Sequence, residues 1–188
     1  DFDVCHIHLA SASNIEPLIA AKKAGIPLVI AHSHCSGLNT GKLGQILHRI
    51  NAPKIKQYSD LRLACSGIAG EFLYDGADFQ VVKNSIDLAR FAYSPEKREQ
   101  MRKKLGIEGK FVLGHVGRIS AEKNPRFLLE TFAQIKKKEP ESLLLYVGDG
   151  PLKQETEEYA AKLGIGDSVI FTGQAANPED YLCAMDSI

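Results

Sequence analysis

Apolar positions in this chain fall into short, nearly unbroken runs, and longer stretches with helical spacing separate them. The runs are Val4–Leu9, Ile26–Ala31, Asp60–Cys65, Phe79–Val82, Phe111–Val116, Ser142–Val147 and Ser168–Thr172. Each predicts a strand. Helices are predicted between them, over Ser11–Ala24, Leu43 to about Tyr58, a short span after Ser66, Ser94–Leu105, Pro125–Lys138, Leu152–Leu163 and Pro178–Met185. Boundary residues support these helices: Ser13 or Asn14 and Ser94 as caps, Pro95 at a first helical position, and Gly25, Gly106 and Gly164 past the ends. Pro53 should break or kink the helix it falls in, whose apolar positions are Leu43, Ile46, Leu47 and Ile50. Asn39–Gly41 reads as a loop. In the helix after Pro125 the apolar positions are Phe127, Leu128, Phe132 and Ile135.

Continuous apolar runs mark strands covered on both faces, and their alternation with helices implies parallel sheets. The fold class expected is α/β, as two Rossmann-like doubly wound parallel sheets, both incomplete. The charged segment from about Asp87 to Gly109 is the natural boundary, giving units 1–90 and 91–188. Ligands of such sheets bind at the carboxyl ends of the strands. The loops there are His32–Gly37, Gly117–Asn124, Gly148–Pro151 and Gly173–Pro178.

Chemistry concentrates in those loops. After Phe111–Val116 come Gly117, Arg118, Lys123 and a helix start at Asn124-Pro125. A buried strand, a glycine turn, two cations and a helix start suit an anion, although a solvated surface loop has the same pattern. A charge-assisted bond to a phosphate would contribute about 1.5–3 kcal/mol. Gly148-Asp149-Gly150-Pro151 forms a tight turn in which backbone can approach a ligand, and Asp149 is expected to cap the next helix. Gln174, after Gly173, offers both a donor and an acceptor to a nucleobase edge. His6-Ile7-His8 and His32-Ser33-His34 are spaced so that each pair points one way on a strand. Two such pairs can ligate a metal, with Asp3 as a candidate carboxylate; the alternative is one cleft histidine and a polar network. His48 and His115 read as structural.

Composition narrows the rest. The chain has 188 residues, 44% of them hydrophobic, and a net charge of +0, so bulk charge does not suggest nucleic-acid binding. Cys5, Cys35, Cys65 and Cys183 are scattered without a CxxC, which reads as free thiols in a reducing compartment. No apolar run approaches a membrane span. The expectation is a cytoplasmic protein, with peripheral contact at the inner face of the cell membrane left open. No GxSxG and no convincing carboxylate pair is present.

Four motifs in register then carry a resemblance. Val116-Gly117-Arg118 with Glu122-Lys123-Asn124, Val147–Pro151, Val169–Gly173, and Lys83-Asn84-Ser85-Ile86-Asp87 resemble the GT-B glycosyltransferases of family 4. The last motif stands where the family has PNGID, with Lys83 in place of Pro and Ser85 in place of Gly. That Lys and the His32–His34 segment resemble the bacterial capsular and exopolysaccharide branch. The resemblance covers almost the whole chain. It implies a retaining transferase with an acceptor-side N-terminal domain and a donor-binding C-terminal domain, facing across a cleft. The donor would be a nucleotide-diphosphate sugar, UDP-linked as first expectation, and the acceptor a glycan or lipid-linked sugar in surface polysaccharide synthesis. It implies no cofactor, no metal and no nucleic-acid partner. The expected catalytic residues are His34, Arg118 and Lys123, and the expected donor-binding residues are Gly117, Arg118, Lys123, Gly148, Gly173 and Gln174. His32 is second to His34 as the cleft histidine.

Two alternatives remain at this stage: a metal-dependent hydrolase built on the HxH pairs, and a non-catalytic nucleotide-sugar-binding module. Both ends of the chain read as cut. The family's acidic segment with two Glu, and its opening glycine-rich loop, are not in these residues. The piece alone is expected to bind donor weakly and not to turn over.

Overall fold

A computed structural model describes residues 2–38 and 41–188. Of the predicted loop Asn39–Gly41, Asn39 and Thr40 lie outside the described residues. The chain divides into two compact units, 1–85 and 86–188. The division falls earlier than the 90/91 boundary expected from charge. The cause is visible at Arg90, whose guanidinium grips Glu179 through Nε–Oε1 (2.7 Å) and Nη2–Oε2 (3.1 Å) and so ties this part of the segment to the second unit.

The first unit is a four-stranded parallel sheet in the order β1 (Val4–Leu9), β2 (Leu28–Ser33), β3 (Leu61–Ala64), β4 (Gln80–Val81). Helices α1 (Glu16–Lys23), α2 (Lys42–Asn51), α3 (Ile55–Tyr58) and α4 (Gly67–Tyr74) connect the strands. A 3-10 turn at Ala52–Lys54 separates α2 from α3, where Pro53 was expected to interrupt. Leu18, Val29, Ile55, Ala64 and Leu73 pack into one buried core. Asp60 ties β3 to β2 by accepting the Val29 N–H at 2.7 Å, and it pairs with Lys22.

Two readings are corrected in this unit. The second strand begins at Leu28 and runs through Ser33, so His32 is a strand residue rather than the start of a loop. The apolar stripe of α2 faces outward: Leu43 is 70% exposed, and Ile46 and Ile50 are also exposed. The buried residue of α2 is His48, because its Nδ1 accepts the Ala12 N–H at 3.0 Å and its ring stacks on Phe72. Satisfying a buried amide outweighs the apolar stripe there. The structural reading of His48 therefore stands.

The second unit is a parallel sheet in the order β5 (Val112–Val116), β6 (Leu143–Val147), β7 (Val169–Phe171). Its helices are α5 (Pro95–Leu105), α6 (Pro125–Lys138), α7 (Lys153–Lys162) and α8 (Pro178–Ala184). The central strand β6 is buried at every position. Side chains alternate along a strand, so its residues feed two layers. Leu143, Leu145 and Val147 pack with Met101, Ile107 and Met185, whereas Leu144 packs with Leu129, Phe132 and Ala160. That division is the doubly wound architecture in side-chain terms. In α6 the expected apolar position Phe132 is buried, together with Leu129 and Pro125, and Leu128 and Ile135 pack against the same core, whereas Phe127 at the start of the helix is 65% exposed. Past α8, Ser187 bridges in parallel to Leu113 on the side of β5 away from β6.

Candidate functional site

The loops after β5, β6 and β7 meet at the carboxyl edge of the second sheet. Backbone bonds lace them together. Gly117 N–H donates to Val147 O (2.9 Å), Gly148 N–H to Gly173 O (2.9 Å), Ile119 N–H to Asp149 O (3.0 Å) and Leu152 N–H to Ile119 O (3.2 Å). The glycine at 148 is required twice over. Its φ is +147°, and a Cβ there would lie 1.9 Å from Gly117 O. The approach of two loop backbones thus depends on a missing side chain.

These loops line a cleft of about 410 Å³ bounded by Val116, Gly117, Arg118, Val147, Gly148, Asp149, Gln174, Ala175 and Pro178. Four expected donor-binding residues, Gly117, Arg118, Gly148 and Gln174, are therefore brought together. Gly173 is joined to Gly148 by the hydrogen bond above, with φ +71°. Lys123 is exposed on a 3-10 turn, Ala121–Lys123, at the rim, and its Cε is 3.9 Å from where a Gly117 Cβ would be. His34 belongs to the first unit, where its Nε2 lies 2.7 Å from His8 Nδ1.

The helix start near the cations is self-capped. Asn124 adopts φ +46°, and its Oδ1 accepts the Phe127 N–H at 3.4 Å. Asp149 does not cap α7, as the sequence had suggested. Its Oδ1 accepts the Gly150 N–H at 2.7 Å, which holds the carboxylate at the cleft wall, and α7 begins without a side-chain cap. The cleft is therefore of mixed charge, Arg118 against Asp149, with apolar patches from Val116, Ala175 and Pro178. Such a mixture suits a ligand with an anionic part and a flat or apolar part.

His115 lies under the Gly117 turn: its Nε2 is 3.2 Å from the position a Gly117 Cβ would take. The ring meets Tyr146 edge-on at 4.8 Å. Burial, and then the Lys123 charge, hold its pKa below the usual histidine value. His115 Nε2 and Tyr146 Oη are buried without a hydrogen-bond partner among the described residues. Sequence reading missed the lining roles of Ala175 and Pro178 and the position of His115. The spacing of Ala175 and Pro178 after Gly173 was the available signal; for His115 the signal was a polar residue two positions before the loop glycine.

The histidines of the first unit converge, as their spacing allowed. In the parallel register His8 lies opposite His32. His6 Nε2 is 3.1 Å from His32 Nδ1, and ring nitrogens of His6, His8 and His32 all lie within 4.8 Å of one another. Asp3 is not part of the group.

The comparisons with known proteins bear on the second unit most directly. Residues 97–186 match the family model described as glycosyl transferases group 1. The fold is that of the GT-B glycosyltransferases. The chain is 30% identical over 196 residues to a putative glycosyltransferase, EpsF, of Bacillus subtilis, covering 98% of this chain and 50% of the relative. It is 41% identical over 107 residues to alpha-monoglucosyldiacylglycerol synthase of Streptococcus pneumoniae, covering 55% of this chain and 24% of that one. Among solved structures, Anabaena Alr3699/HepE in complex with UDP and glucose superimposes with a TM-score of 0.80 at 23% identity, over 98% of this chain and 51% of that one. The chain spans about half the length of the first of these relatives. No helix among the described residues is long and apolar enough to cross a membrane.

Proposed function

We propose that the chain carries the donor-binding part of a retaining glycosyltransferase. It would move a sugar from a nucleotide-diphosphate donor to a glycan or lipid-linked acceptor in surface polysaccharide synthesis. The observation that carries this is the glycine-walled cleft at the carboxyl edge of β5-β6-β7, with Arg118 in its wall and Lys123 at its rim. The neighbour bound to UDP and glucose supports a UDP-linked sugar as donor. The family 4 assignment, the capsular branch and a cytoplasmic location at the inner membrane face belong to the same proposal.

Breaking a sugar–phosphate bond builds negative charge on the diphosphate and positive charge on the ring. Preplaced cations stabilise the leaving group without reorganising. Arg118 offers a planar fork to phosphate oxygens, and Lys123 a point charge. The leaving phosphate can take the acceptor's proton, so the reaction needs no carboxylate base. Gln174 pairs with the base edge and the glycines let backbone approach the ligand. The acceptor-side role of the first unit, and that of His34 near the transferring sugar, rest on the resemblance.

Calorimetric titration with UDP and UDP-sugars tests the reading. Arg118→Gln and Lys123→Gln, both exposed and so tolerated by the fold, should each weaken binding by about 10-fold or more, from loss of a charge-assisted bond. Unchanged affinity in both would refute the site. Donor binding with no sugar transfer by the full-length protein would identify a binding module instead.

A further inference from the structure

His6, His8 and His32 in the first unit do not line the cleft of the second. β1 and β2 are parallel neighbours with His8 opposite His32, and residues two apart on a strand share a face. His6, His8, His32 and His34 therefore crowd together: ring centroids of His6 and His8 are 4.4 Å apart, and those of His32 and His34 are 4.3 Å apart. One ring nitrogen from each of His6, His8 and His32 lies within 4.8 Å of those from the other two. Tetrahedral Zn–N bonds of about 2.0–2.1 Å place ligand nitrogens roughly 3.3 Å apart. His6 Nε2 and His32 Nδ1 lie 3.1 Å apart in a ring-to-ring hydrogen bond, which leaves Nε2 as the unpartnered nitrogen of His32.

We propose that His6, His8 and His32 form a binding site for a borderline transition-metal dication, Zn2+ first, with His34 as the group that orients His8. Three features argue for a cation rather than a simple polar network. The donor set is imidazole only, the set that suits Zn, Ni, Co and Cu rather than Mg or Ca. His32 is only 6% exposed, and its Nε2 has no partner among the described residues, an unmet polar group of the kind that marks an unfilled interaction. His34 Nε2 is 2.7 Å from His8 Nδ1, which engages one nitrogen of His8 and leaves the other for a metal, so His34 stands where the outer hydrogen-bond partner of a ligating histidine would be. His6 and His8 remain exposed, so the site has an entry path.

The site lies wholly within the first unit and does not depend on the nucleotide-sugar reading. The test is titration of the metal-free chain with ZnCl2 against a chromophoric chelator, with CoCl2 absorption as a second readout. The expected result is one ion per chain and the intense visible bands of tetrahedral Co2+. His6→Ala and His8→Ala, on the exposed side of the cluster, should each weaken binding by about 10-fold or more, and His34→Ala by about 10–100-fold. Circular dichroism and thermal unfolding of each variant check that the fold persists. Lack of a stoichiometric ion would overturn the site. So would Zn2+ binding that survives unchanged in His6→Ala and His8→Ala, which would place the ion elsewhere, for example on thiols.

Discussion

His115 shows how far a single side chain can depend on its surroundings. As a strand residue it read as structural, and it is half-buried beneath the Gly117 turn. Burial and the Lys123 charge both disfavour its proton in the folded chain. A histidine whose pKa folding lowers binds more protons when unfolded, so it contributes stability above its unfolded value of about 6.5, and that contribution is lost as pH falls through the folded value. Urea midpoints measured at pH 7.5 and pH 5.5 should therefore fall more for the parent chain than for His115→Gln. An equal or smaller fall in the parent chain would contradict the buried, neutral ring. Asp149 is the opposite case. Its place in the sequence suggested a helix cap, but the nearest unmet N–H was that of Gly150, and the carboxylate turned to the cleft.

Among the elements, α5 changes meaning most between sequence and structure. Its sequence, PEKREQMRKKL, is mostly charged and falls in the segment read as the boundary between the units. In the fold, Arg98 and Arg102 turn inward and cap the end of α8. Arg98 Nη1 donates to Met185 O (2.9 Å) and Arg102 Nη1 to Ala184 O (2.9 Å), carbonyls that the helix leaves without partners. Asp186 completes the knot by pairing with both arginines and accepting the Val112 N–H at 2.7 Å. Burial raises the pKa of Asp186, but the Val112 N–H and the two arginines outweigh it and leave a net depression. Asp186→Asn should cost about 1.5–3 kcal/mol, the value of hydrogen bonds to charged groups, because Arg102 is left buried with less compensation. Guanidinium unfolding measures it, and a loss under about 0.5 kcal/mol, the usual spread of surface substitutions, would show that the knot contributes little. Gly114 serves the same packing from the strand side. A Cβ there would lie 1.9 Å from Met185 Sδ, so the strand gives way to let Met185 in.

At the scale of the whole molecule, the two units keep separate cores, and the proposed donor cleft belongs to the second. Hydrogen exchange with saturating UDP should therefore slow amides of 117–119, 148–150 and 173–175 while leaving β1–β4 largely unchanged. Protection confined to the first unit would move the nucleotide site. The period of the apolar positions determined the α/β class, the alternation of strands with helices, and the loops that carry Gly117, Arg118, Gly148 and Gln174. These are local matters: glycine, proline and continuous apolar runs act within a few residues. The tertiary structure alone decided which faces are buried. It turned His48 inward and the apolar stripe of α2 outward, and it moved Arg90 into the second unit through Glu179. It also set His6 and His8 of β1 beside His32 of β2 and His34 just past it. Each of those outcomes depends on partners more than twenty residues away, and strand register and buried amides choose such partners in three dimensions.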